Sequence, residues 1–270
     1  MPDFEDVLYD VKGRVAVITL NRPEKLNALS DPMRENLPRA IQAASDDPGV
    51  YVVVITGAGR GFCSGADQSG ERGRMPNVAG LTAPTVALRA MEMLDDVVLA
   101  LRGLHQPVIA AVNGPAIGGG LCLALACDIR IAAPDAYFRA AGINNGLTAS
   151  ELGLSYLLPR AIGSSRAFEI MLTGRDVDAE ESARIGLVSR VVAAEELLPS
   201  AVELGERIAA WSRPGVELTK RTLWSGLDAG SLAQHMNAEG LGQLYVRLLT
   251  ENFEEAVAAR HEGRDPVFKD

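Results

Sequence analysis

Two unbroken apolar runs, each emptying into a glycine-rich loop, constrain this chain more than any other feature. Residues 50–56 (VYVVVIT) lead into Gly57-Ala58-Gly59-Arg60-Gly61-Phe62-Cys63-Ser64-Gly65-Ala66-Asp67. Residues 107–112 (PVIAAV) lead into Asn113-Gly114-Pro115-Ala116-Ile117-Gly118-Gly119-Gly120. A strand that is apolar at every position must be covered on both faces. The unit of strand, glycine loop and helix therefore predicts layered β and α elements, with ligands bound where strands hand over to helices.

The remaining segments fit that frame. Residues 14–20 (RVAVITL) are rich in β-branched side chains and read as a strand. Ser30-Asp31-Pro32 supplies a cap and a first-turn proline for a helix running to about residue 45. A polar segment rich in glycine and proline, residues 68–84, reads as a mobile loop, and an amphipathic helix follows over 85–104. Residues 121–126 open another helix, and 129–132 form a short strand. From residue 163 the pattern is largely helical, with a bend at Gly186-Leu187-Val188.

Composition narrows the classes of function. The chain has 270 residues, enough for one large domain, or one domain with an appendage. Its 47% hydrophobic and 23% charged residues exclude a wholly disordered chain. A formal charge of −9 argues against general nucleic-acid binding, which needs a cationic face. Cys63, Cys122 and Cys127 form no CxxC pair, and His105, His235 and His261 lie far apart, so no metal site is expected. The N-terminus is acidic and lacks an apolar core. The longest apolar candidate, residues 115–126, carries three glycines and falls short of the roughly 18 residues of a membrane span. The expectation is a reduced, cytoplasmic protein with no membrane partner.

The glycine loops have look-alikes. Gly57-x-Gly59 begins like a dinucleotide fingerprint, but Phe62 stands where the third glycine belongs. Neither loop carries the Gly-Lys-Ser/Thr of a phosphate loop. Two readings stay open: tight turns of an α/β fold, or an oxyanion hole. In the second, a helix beginning at Gly118-Gly119-Gly120 offers unpaired N–H groups, and an N–H from the other loop completes a two-donor clamp.

At this point the sequence resembles the crotonase, or enoyl-CoA hydratase/isomerase, superfamily. The matching stretches are VAVITLNRPEKLNAL (15–29), VVVITGAGRGFCSGAD (52–67), PVIAAVNGPAIGGGLCLALACDIRIAA (107–133), LLPRAIG (157–163), LTGRDVDAEESARIGLVSRVV (172–192) and ENFEEAVAARHEGRDPVF (251–268). The resemblance implies an α/β fold: a spiral of ββα repeats over residues 1–200 holding an acyl-CoA site, and a helical region over 201–270 used for trimerisation. It implies a homotrimer or a dimer of trimers, acyl-CoA thioesters as substrates, and no metal or redox cofactor. Carried over by motif, the oxyanion donors are the N–H groups of Ser64 and Gly119. Lys25, Leu26, Ala28, Ser64, Gly65, Ala66 and Asp67 would line the coenzyme A, with Lys25 a phosphate partner.

The chain departs from the hydratase pattern at both acid/base positions. Hydratases of the family add water to a 2-enoyl-CoA with two glutamates. Here Cys122 stands two residues after the triple glycine, and Gly142 stands twenty residues later. Water addition needs groups to deprotonate water and deliver a proton, so this route should be nearly abolished. Cys122 reads as a small apolar filler, and Asp128 of the Cys-Asp-Ile segment as structural. One carboxylate remains, Glu151, in TASELGLSYLLPR. Aligning the shared Leu-Pro with the VGTLxRLP stretch of dienoyl-CoA isomerases puts Glu151 on their aspartate, with one extra residue after Gly142. A carboxylate in an acyl pocket would have a raised pKa and could move a proton between carbons. Glu151 is therefore the candidate acid/base, with isomerase-like proton transfer favoured. The alternatives are a hydratase using Glu151 and a bound water, or a non-catalytic acyl-CoA-binding protein. Asp67 reads as structural or close to CoA, and Glu71 as solvated. Trp211, Trp224 and Met236 read as packing residues of the tail.

Overall fold

The computed structural model describes residues 4–68 and 79–269. The chain opens with a hairpin, β1 (Val7–Lys12) and β2 (Val15–Leu20), turned at Gly13. The helix α1 (Asp31–Asp46) follows, its Met33 N–H donating to the Ser30 side chain at 3.1 Å as the capping pattern predicts. Next come β3 (Val52–Gly57), α2 (Ala83–Gly103), β4 (Val108–Val112), β5 (Ala116–Ile117), α3 (Gly119–Ala126), β6 (Ile129–Ala132) and β7 (Tyr137–Arg139). The second half holds α4 (Leu154–Ile162), α5 (Ser164–Thr173), β8 (Val177–Asp178), α6 (Ala179–Arg184), β9 (Arg190–Val191), α7 (Leu197–Ala209), α8 (Arg213–Gly226), α9 (Leu232–Leu249) and α10 (Asn252–Glu262).

Six strands form one sheet in the order β1-β2-β3-β4-β6-β9, antiparallel at the hairpin and parallel thereafter. A small second sheet, β5-β7-β8, stands beside it. The mixed α/β class expected from the sequence is what the chain adopts. Every residue of β3 and β4 is buried, and alternation decides which way each points. Ala16, Ile18, Leu20, Val53, Ile55, Val108 and Ala110 join the core built by α1, α2 and α3. Val15, Val17, Val52, Val54, Ile109 and Ala111 face α7, where Leu197, Ala201 and Ala209 cover them. The sheet is thus covered on both faces.

The strand β1 is missing from the sequence reading, which starts at residue 14. It is an edge strand with Val7 buried, Tyr9 and Val11 half-buried and the positions between them exposed, so it lacks the continuous apolar run that betrays β3 and β4. Helix α4 likewise precedes the point where the helical region was expected to begin. Asp128 ties the helical tail to the sheet. Its carboxylate accepts from Val108 N (2.6 Å) and Trp224 Nε1 (2.5 Å) and pairs with the buried Lys220 ammonium (2.9 Å). Lys220 also donates to Gln106 O at 2.8 Å. Trp224 thus packs as expected, but Trp211 and Met236 are 59% and 56% exposed and do not. No helix among the described residues is long and apolar enough to cross a membrane.

Candidate active site

The site forms where three loops meet: the turn after β2, the glycine loop after β3 and the start of α3. Asn27, fully buried and with φ +56°, holds the first two together. Its carbonyl accepts from Arg22 N (2.8 Å), and its amide donates to Ala58 O (2.9 Å) and Gly61 O (2.7 Å). Asn113, at the end of β4, donates to the same Gly61 O at 3.1 Å and to Gly59 O at 2.9 Å. Arg22 adds an ion pair to Asp67 (2.7 Å) and a hydrogen bond to Ala28 O (2.9 Å). Asp67 is therefore part of the scaffold at the rim.

The residues expected to line coenzyme A do come together. Ser64 Oγ donates to Lys25 O at 3.2 Å, Ser64 N to Leu26 O at 2.9 Å, and Leu29 N to Gly65 O at 2.8 Å. The side chain of Lys25 is on an exposed turn, and Ala66 is exposed at the open side. Glu71 lies outside the described residues.

One expected oxyanion donor needs correction. Ser64 N–H already has an acceptor, Leu26 O, so it is not free to meet a ligand. Two residues on, Ala66 N–H has no acceptor among the described residues. Leu29 pairs with Ala66 as an isolated parallel bridge through Gly65 O and Asp67 N. Backbone alternation then turns Ala66 N–H away from Leu29. The neighbouring Gly65 packs closely on the start of α3: a Cβ on Gly65 would lie 2.8 Å from Ile117 O and 3.2 Å from Gly119 N. Gly119 is the first residue of α3, and its N–H has no acceptor among the described residues. Ala66 and Gly119 thus each keep a free N–H, on two segments whose backbones approach closely at Gly65. Ser64 and Ala66 share a strand parity, so the sequence could not separate them. Only the distant turn at Leu26 does.

Glu151 sits at the same helix start. Its Oε1 lies 3.2 Å from where a Cβ on Gly118 would be, one residue before Gly119. Gly118 has φ +53°, a conformation suited to glycine, and its lack of a side chain leaves the carboxyl room. Burial pushes the Glu151 carboxyl above the ordinary carboxylate range. The two positions of the hydratase pair are closed. Cys122 is buried, and its thiol, raised well above its usual value chiefly by burial, donates to Glu151 O at 3.6 Å. At Gly142 any side chain would start 2.0 Å from Thr148 O. The apolar-filler reading of Cys122 fits this geometry. The described residues hold no group of three or more His, Cys, Asp or Glu placed to bind a metal.

Comparison with known proteins agrees over nearly the whole chain. The family model for enoyl-CoA hydratase/isomerase matches residues 10–270. A probable enoyl-CoA hydratase of Mycobacterium tuberculosis (strain H37Rv) is 70% identical, over 96% of this chain and 90% of its own length. The crystal structure of a probable enoyl-CoA hydratase/isomerase from Mycobacterium abscessus superposes with a TM-score of 0.93 at 64% identity, covering 98% of this chain and 99% of that one. A monofunctional enoyl-CoA isomerase from M. smegmatis superposes with a TM-score of 0.73 at 59% identity, covering 86% of this chain and 98% of that one.

Proposed function

This chain belongs to the enoyl-CoA hydratase/isomerase family, and on that premise we propose that it is an acyl-CoA isomerase using Glu151 as its acid/base. The thioester carbonyl oxygen accepts from Ala66 N–H and Gly119 N–H. Glu151 removes a C2 proton from a 3-enoyl-CoA, and the electron pair passes into the carbonyl, giving a dienolate held by the two donors. The protonated Glu151 then returns the proton to C4, leaving the double bond between C2 and C3. Coenzyme A enters as part of the substrate, with Lys25 on its phosphates and the backbone of Ser64–Asp67 along its adenine end. No separate cofactor takes part.

The carrying observation is the Glu151 carboxyl against Gly118 at the start of α3, with Cys122 and Gly142 at the two hydratase positions. A raised carboxyl pKa suits a group that must both take and give a proton. The resemblance to an M. smegmatis monofunctional isomerase supports the same side. The second reading, a 2-enoyl-CoA hydratase in which Glu151 activates water, draws on the name of the M. tuberculosis relative. We further propose a homotrimer or a dimer of trimers built through the helical region from residue 201, working in the reducing cytoplasm, where its three free cysteines stay unpaired.

The test is to incubate the protein with 3-hexenoyl-CoA, and separately with 2-hexenoyl-CoA, in heavy water and weigh the thioesters. Conversion of the 3-enoyl to the 2-enoyl isomer with no added water is expected, with deuterium entering only where the Glu151 proton exchanges with solvent before its return. Net addition of heavy water to the 2-enoyl thioester would favour the hydratase reading. Unchanged thioesters, bound but not converted, would overturn both.

A further inference from the structure

Leu152 is one of four non-glycine residues with positive φ among those described, at +46°, and it directly follows Glu151. A branched aliphatic side chain disfavours this left-handed conformation, which persists only where its surroundings hold it. The surroundings are visible. Leu152 is 6% exposed, and its Cδ1 lies 3.4 Å from where a Cβ on Gly119 would be, opposite Leu29 Cδ1 at 3.1 Å. Its side chain therefore rests on the residue that offers an oxyanion donor. Gly153 continues the left-handed turn at φ +78°, and Leu154 N closes it on Glu151 O at 2.7 Å. The Cys122 thiol grips the same carbonyl from α3 at 3.6 Å. Main chain and neighbour both fix where residue 151 points, yet no side-chain hydrogen bond among the described residues holds its carboxyl.

We propose that Leu152 is the positioning residue for Glu151: its buried side chain, seated on Gly119, locks a left-handed turn that aims the Glu151 carboxyl at the mouth of α3. This rests on the assignment of Glu151 as acid/base. The anchoring also couples the two halves of the machinery, since a shift of the Gly119 donor carries Leu152, and with it Glu151. The titratable group acting on Glu151 among the described residues is Cys122 of α3, which is itself influenced by Cys63 and by Asp95 of α2. The thiol stays neutral at working pH, and no described cation lowers the Glu151 carboxyl.

Leu152→Gly suits the positive φ and removes only the anchor, so it should fold where Leu152→Ala would stay strained. With 3-hexenoyl-CoA, Leu152→Gly is expected to lose about tenfold or more in kcat with KM within threefold. The acid limb of its pH–rate profile should move to lower pH as Glu151 gains water. Leu152→Met, an unbranched apolar chain of similar volume, should regain kcat within threefold and the wild-type acid limb. A wild-type kcat and acid limb in Leu152→Gly would overturn the proposal, as would a Met variant as impaired as the Gly variant. Glu151→Gln separates the two assignments. Full turnover in that variant removes Glu151 from the mechanism, whereas loss there with no effect at Leu152 leaves Glu151 in place and removes the positioning role.

Discussion

Glu151 is held where a carboxylate is uncomfortable. Its pKa lies above the ordinary value of 4.5 because burial disfavours the charged form. A carboxyl raised in the folded state binds its proton more tightly there than in the unfolded chain. Its contribution to stability is therefore fully present below the unfolded pKa and is lost as pH rises through the folded one. Glu151→Gln should raise the melting temperature at neutral pH, and the two proteins should converge below about pH 4. Thermal unfolding across that range checks it; a Gln variant less stable at neutral pH would contradict the cause assigned to the shift. Glu151 was visible through the resemblance to dienoyl-CoA isomerases, aligned on Leu158-Pro159. The sequence could not display Ala66 or Leu152. One depends on which N–H a distant turn has already engaged, the other on a backbone angle that no residue type at 152 announces.

At the scale of elements, the glycine loops were legible because their backbones touch. A Cβ on Gly120 would lie 2.0 Å from Cys63 O, and one on Gly114 2.1 Å from Arg60 O, so the spacing of these glycines records where the two loops cross. What the spacing does not record is how the loops are clamped. Asn27 sits in the middle of the turn after β2 and satisfies the carbonyls of Ala58 and Gly61 while accepting from Arg22 N. Removing one buried partner leaves these groups short of hydrogen bonds at about 1–3 kcal/mol each. Asn27→Ala should therefore lower stability by at least about 2 kcal/mol in denaturant unfolding. At temperatures where it is folded, its kcat should fall more than its KM rises, because Gly61 O keeps only Asn113 and the loop carrying Ala66 loosens. An unaltered kcat would mean that Asn113 alone suffices. The short strands β5, β7, β8 and β9 escaped the sequence reading for a plainer reason: runs of two or three residues are too brief to show a period.

On the scale of the whole molecule, the sheet and its two covered faces follow from apolar runs, but the tail does not close on itself. Helix α9 has no buried residue, and Leu232, Leu241 and Leu248 are more than 70% exposed. A cavity of about 1050 Å³ opens between α8 and α9, lined by Trp211, Val216, Leu223, Trp224 and Phe268. Exposed apolar surface is unfavourable in water at about 25 cal/mol per Å², and a contiguous patch of it suits a covering partner. The largely helical pattern from residue 163 takes in α9. It could not show what the helix meets, because the same apolar stripe serves a core or an interface. The same ambiguity holds for Trp211 and Met236: large apolar side chains in a helical tail predict packing, and the single chain leaves them exposed. The homotrimer proposed above would cover α9, and with it the exposed leucines and the open cavity. Replacing Leu244 and Leu248 together by glutamate should convert the assembly to monomers, measured by light scattering on a sizing column. The sheet core and the Glu151 site are remote in sequence from both substitutions, so secondary structure should persist in the monomer. A wild-type protein that is monomeric at micromolar concentration, or a double variant that still assembles, would show that α9 is covered by something other than its own kind.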